Sequence, residues 1–140
     1  MEIATGYFAK ARSYAEAGYT LVSIAKVSPW FLPPDLELYE LPCLAPSQSI
    51  LDLKGKPEEY EKRYRSEVLD KLPQMEVYQE LYRIANESHS YKIVLMCYES
   101  PEKFCHRHIV AKWMAEAYGC NVQELQPNRL RDSVMCESDV

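Results

Sequence analysis

The chain has 140 residues, 47% hydrophobic and 26% charged, with a formal net charge of −5 at pH 7. This is the make-up of a single globular domain with a real core, and the negative balance argues against broad, sequence-blind binding to a phosphate backbone. The start Met-Glu-Ile-Ala-Thr has no basic region followed by an apolar one, no apolar run reaches membrane-spanning length, and five cysteines lack the spacing of a disulfide framework, so a cytoplasmic chain with free thiols and no membrane partner is expected.

Residues 1–4 suit a short edge strand. Residues 5–17 read as a helix, with Thr5 as cap, Tyr7, Phe8, Ala11 and Ala15 as apolar positions, and Gly18 as the stop. The β-branched, apolar residues 20–27 read as a central strand running into Lys26, Ser28, Pro29 and Trp30. Pro29, Pro33 and Pro34 forbid regular structure from 28 to 34. Residues 36–41 alternate apolar and acidic side chains, as in a strand with one wet face, and 42–55 are loop-like. A charged helix is expected over 57–69, with Tyr60, Tyr64 and Val68 at helical spacing, and a second from Pro73 to about residue 86. The unbroken apolar run 91–97 reads as an inner strand covered on both faces. A helix over 105–118, a closing strand over 121–125 and a loose tail from Gln126 complete the chain. Alternation of this kind predicts a single three-layer α/β domain over residues 1–125 with a mostly parallel sheet. No G-x-G-x-x-G or Walker A motif is present, and no cofactor is expected.

The chemistry gathers where the inner strand meets the last helix, in the spacing Cys97-x-Glu99-x-Pro101-x-x-x-Cys105-His106-Arg107. Ser100, Pro101 and Glu102 together form a helix-start signal. In an open α/β sheet, ligands bind beyond the carboxyl ends of the strands, where this joint would lie. Cys97, Glu99 and Cys105 are the catalytic candidates: a cysteine near a helix start and beside cations has a lowered pKa, and Glu99 could carry a proton if burial raised its own. Arg107 and the backbone N–H groups of the turn offer an anion site, with His106 beside them and Lys26 and Ser28 as a second wall from the neighbouring strand. Glu99 is the expected partner of Arg107.

A plainer reading stands beside this one. On a helix continuous from Pro101, His106 points into the stripe Ile109, Val110, Trp113, Met114 and Ala117, while Cys105 and Arg107 flank it and His108 faces solvent. His106 is then a satisfied core histidine and both cysteines are small buried hydrophobes. Cys97, Cys105, His106 and His108 match no usual zinc spacing, so no metal is expected. A disulfide between Cys97 and Cys105 is geometrically open but disfavoured by the expected compartment. Tyr60, Tyr64, Arg63 and Arg65 could line a nucleic-acid surface, although the interleaved glutamates favour a solvated helix face. Trp30 could wall the pocket or cover the sheet edge.

The segment from Cys97 to Arg107 resembles the signature of the domain-of-unknown-function family 488, a Cys-x-Glu…Cys-His-Arg cluster after an apolar strand. The strand leading into Lys26-Val-Ser-Pro29, the loop Leu44-Ala-Pro-Ser47 and residues 60–68 also fit, so the resemblance spans roughly residues 1–125. It implies an α/β fold and a site made from Lys26, Ser28, Cys97, Glu99, Cys105, His106 and Arg107, with no established reaction. Many members carry an arginine where this chain has Lys26, and lysine cannot form a bidentate fork. Three functions follow: a thiol-dependent enzyme on a nucleotide, nucleic-acid end or other anionic metabolite; a non-catalytic module for a small anion or nucleic acid; or a structural interaction domain.

Overall fold

The computed structural model describes residues 1–100 and 102–126; the expected helix-start role of Pro101 and the expected tail beyond Gln126 lie outside the described residues. The strands are β1 (Glu2–Tyr7), β2 (Thr20–Ser23), β3 (Leu38–Glu40), β4 (Lys92–Cys97) and β5 (Gln123–Glu124). The helices are α1 (Ala11–Glu16), α2 (Gln48–Leu51), α3 (Pro57–Glu67), α4 (Gln74–Ser88) and α5 (His106–Tyr118). Among the described residues the strand order is β3-β2-β4-β1-β5, and every pairing is parallel. The apolar run ending at Cys97 takes the centre of the sheet, as an inner strand buried on both faces must.

Side chains alternate across β4, which divides the core in two. Val94 and Met96 pack with Phe8, Ala11 and Tyr14 on the α1 face. Ile93 and Leu95 pack with Tyr64, Leu81 and Val110, from α3, α4 and α5, on the other. The chain therefore leaves β1 toward one face and β4 toward the opposite face, although β1 and β4 are neighbours. This divergence makes a crevice at their carboxyl ends. Tyr7 of β1 pairs in register with Cys97, and Ser23 of β2 with Met96, so three strands end together beside Cys97.

The start of the chain departs most from expectation. Glu2–Tyr7 form one inner strand between β4 and β5, not an edge strand followed by a helix, and α1 begins only at Ala11 after a 3-10 turn at Phe8–Lys10. Ile3, Ala4 and Thr5 are buried on the sheet, and parallel pairing on both sides outweighs the local helical spacing. Gly6 is needed here because a Cβ would stand 2.6 Å from the ring of Tyr14. The Tyr14 hydroxyl in turn accepts the Tyr7 N–H at 3.2 Å. Gly6→Ala is expected to cost about 1–3 kcal/mol through overpacking, with part recovered when Tyr14 is shortened to leucine; urea unfolding of the single and double variants measures both. Elsewhere β2 ends at Ser23, and the expected loop at 42–55 contains α2, whose N-cap Ser47 accepts the Ile50 N–H at 3.4 Å.

Candidate functional site

Helix α5 runs from His106 to Tyr118, close to the expected 105–118, and the helix-start signal at Ser100 does not open it. Ser100 caps nothing there, since its hydroxyl donates to Glu102 at 2.9 Å. Cys105 is the extended N-cap residue, with φ −153°. That bend turns its side chain back over the end of β4, where the Cys97 and Cys105 sulfurs lie 1.98 Å apart, at disulfide distance. This is the pairing that the sequence left geometrically open, here across a Cα separation of 7.3 Å, wider than is usual for a disulfide. Cys43 and Cys120 are free among the described residues, and Cys136 lies outside them. Cys97 is 1% exposed and Cys105 4%.

Arg107 is fully buried, and its partner is Glu124 rather than Glu99. Its Nε and Nη2 donate to the two Glu124 oxygens at 3.0 and 2.9 Å, a bidentate fork. Its Nη1 donates to Cys97 Sγ at 3.0 Å. Glu124 also accepts the Thr5 hydroxyl at 2.7 Å. The physical reason is topological: β5 pairs with β1 and sets Glu124 opposite Thr5, beside the first turn of α5. Arg107 is paired, as the sequence required of an arginine near the core, and its fork is filled by Glu124 where an anion was expected. Glu124 is the residue that sequence reading missed, and its only signal was the need of a buried arginine for an acid.

The expected second role of Glu99 also changes. Glu99 forms an ion pair with Lys54. The Lys54 ammonium holds its carboxyl below the usual glutamate range, so it is a carboxylate and not a raised-pKa acid.

His106 donates Nε2–H to the Ile24 carbonyl at 2.7 Å, since a carbonyl can only accept. Its Nδ1 is therefore the lone-pair nitrogen, 3.8 Å from Cys105 Sγ. The ring stands edge-to-face against Tyr64 with centroids 5.6 Å apart. Burial pushes its pKa down to about 4 against the opposing pull of the Ile24 bond, which keeps it neutral. His108 does not face solvent: it is half-buried, and its Nε2 is sealed without a hydrogen-bond partner.

Over the sulfurs lies a pocket of about 190 Å³ whose lining includes Lys26, Gln48, Lys54, Tyr60 and Phe104. Lys26 Nζ donates to Gln48 Oε1 at 3.3 Å. Cys97, Glu99, Cys105 and His106 share this lining, whereas Ser28 and Arg107 do not. Ser28 is spent on Ser23 and Glu40, at 3.0 Å each, between the ends of β2 and β3. Trp30 neither lines the pocket nor covers the sheet edge; it is 94% exposed and meets Phe31 edge-to-face. Tyr60 and Tyr64 are core residues, so they offer no stacking surface to a nucleic acid. Arg63 and Arg65 make i, i+4 pairs with Glu67 and Glu61, as a solvated helix face does.

A family model described as "Active DUF488-N3 subclade" matches residues 32–118, more than half of the chain. The chain belongs to domain-of-unknown-function family 488. The match takes in β3, α2 through α5, β4 and the whole Cys97–Arg107 cluster, and is narrower than the span suggested by sequence. Lys26, Ser28 and Glu124 fall outside the matched stretch of this family 488 chain. No curated protein and no solved structure matches it significantly.

Proposed function

We propose that this member of family 488 is a thiol-dependent enzyme acting on a small anionic metabolite such as a nucleotide. The observation that carries the reading is the buried Arg107 N–H held 3.0 Å from Cys97 Sγ. A fixed N–H donor aimed at a sulfur favours thiolate over thiol, and the thiolate is the nucleophile. Glu124 keeps the guanidinium oriented and prevents it from being an uncompensated buried charge. Lys26 and Lys54 both line the pocket wall; with Glu99 balancing Lys54, Lys26 supplies the charge that would receive the anion. The disulfide is the oxidised form. A thiol reductant delivers two electrons and two protons to free both cysteines, and is itself oxidised to a disulfide. The Cys97 thiolate then attacks an electrophilic atom of the substrate, whose leaving group departs with the electron pair. Water releases the product and restores the thiolate and a proton. The matched subclade's description as active accords with such a role.

Alkylation of the reduced, chelator-treated protein tests the reading. Cys97 is expected to react faster than a free thiol at neutral pH, and faster with anionic iodoacetate than with neutral iodoacetamide. Replacing Lys26 and Lys54 by alanine should abolish the preference for iodoacetate. If mass mapping finds no cysteine reacting faster than a free thiol, the thiolate mechanism is lost, and the two lysines point instead to a non-catalytic anion sensor.

A further inference from the structure

The geometry points to a zinc-class metal site formed by Cys97, Cys105 and His106 at the floor of the pocket once the two cysteines are reduced. Their ligand atoms all lie within 4.8 Å of one another, and the three residues are buried. Two thiolates and an imidazole are a donor set that zinc takes, with the fourth position left for water or a ligand. Here that position would open on the pocket, which all three residues line.

Two further observations favour an ion between the sulfurs. Metal-ligating histidines commonly give their other ring N–H to a backbone carbonyl, which fixes tautomer and ring plane. His106 does this with Ile24 at 2.7 Å, and its free Nδ1 is the nitrogen on the Cys105 side. The backbone spacing of the cysteines agrees: their Cα atoms are 7.3 Å apart, beyond the roughly 4.4–6.8 Å usual across a disulfide. Zinc–sulfur bonds of about 2.3 Å in a tetrahedral site hold two sulfurs about 3.8 Å apart, which suits a wider backbone separation. Arg107 donates to the Cys97 sulfur from behind, and with Glu124 filling its fork it adds little net positive charge against an ion.

The sequence argued against metal because the spacing matched no standard pattern. With α5 starting at His106, Cys105 sits on the extended N-cap and reaches back to Cys97. Loading is chemically balanced. A thiol reductant first opens the disulfide, as above; the divalent ion then displaces the two thiol protons to solvent. Oxidation and metal loading therefore compete for the same sulfurs. The inference does not rest on the proposed enzymatic reading, which concerns the metal-free thiolate.

Cobalt(II) titration of the reduced, chelator-stripped, full-length protein tests it. The expected result is thiolate-to-cobalt charge transfer with tetrahedral visible bands, saturating at about one ion per chain and bleached by zinc. The oxidised protein should show neither. Cys105→Ser should lose much of the charge-transfer intensity, and His106→Gln should weaken binding at least tenfold. Should those variants not fold, a zinc chelator competed against reduced and oxidised wild type gives the same comparison without substitution. Absence of the charge-transfer band in reduced wild type overturns the site, as does an equal band from Cys97→Ser/Cys105→Ser, which would place the ion elsewhere. Alkylation of Cys97 is read without metal, so its outcome separates failure of this site from failure of the thiolate mechanism.

Discussion

Arg107→Ala is expected to lower the unfolding free energy by about 3–5 kcal/mol, the usual cost of removing one partner from a buried ion pair. Arg107 is completely buried and Glu124 keeps only 16% side-chain exposure, so the orphaned carboxylate is part-shielded from water. Glu124→Gln should be damaging for the mirror-image reason, and the double variant should cost less than the sum of the two. Arg107→Lys keeps the charge but cannot span both carboxylate oxygens and Cys97 at once, so its cost should fall between wild type and alanine. Urea unfolding monitored by circular dichroism measures all four. A cost below about 1 kcal/mol for Arg107→Ala would place the pair among exposed ones and contradict the buried geometry.

The second large effect is on acidification. His106 is held neutral in the fold with a pKa of about 4, whereas an unfolded histidine titrates near 6.5. As pH falls below about 6.5 the unfolded chain gains a proton that the fold refuses, so stability declines with falling pH until about pH 4. The shift corresponds to about 3 kcal/mol across that window. His108 is also lowered by burial and acts with the same sign. Carboxylates lowered by arginine or lysine partners, including Glu80 and Glu99, add their loss at the acid end of the range. Denaturant midpoints between pH 7.5 and 4.5 should therefore fall steeply in wild type and much less in His106→Gln. Equal slopes in the two proteins would show that His106 exchanges its proton freely in the fold.

The central strand and the last helix were legible because their signals are local: an unbroken apolar run to Cys97, and the stripe from Ile109 to Met114 that is buried in the structure. Cys97, Cys105 and His106 meet because strand and helix are consecutive. The first strand was legible only as far as Ala4, and not in its inner position. Tyr7, Phe8, Ala11 and Ala15 satisfy a helical spacing, and only pairing with β4 and β5, remote in sequence, decides otherwise. The helix-start residues near Pro101 misled for a related reason: Cys105 can bend back only because β4 ends beneath it. The choice of Glu124 over Glu99 depends on β5 reaching the far side of β1, a relation that no local pattern encodes.

The short strand β5 also bears on where the working unit of this protein ends. A segment excised at residue 118, the limit of the family match, would keep Cys97, Cys105, His106 and Arg107 but discard Glu124. The guanidinium would then remain charged in an interior designed around a counter-ion supplied by the next few residues. Leu125 also ties this edge down, donating its N–H to Thr5 at 2.8 Å. For expression, domain grafting or comparison among relatives, a segment that keeps the Arg107 counter-ion has to extend through Leu125 and include β1, beyond the matched stretch at both ends.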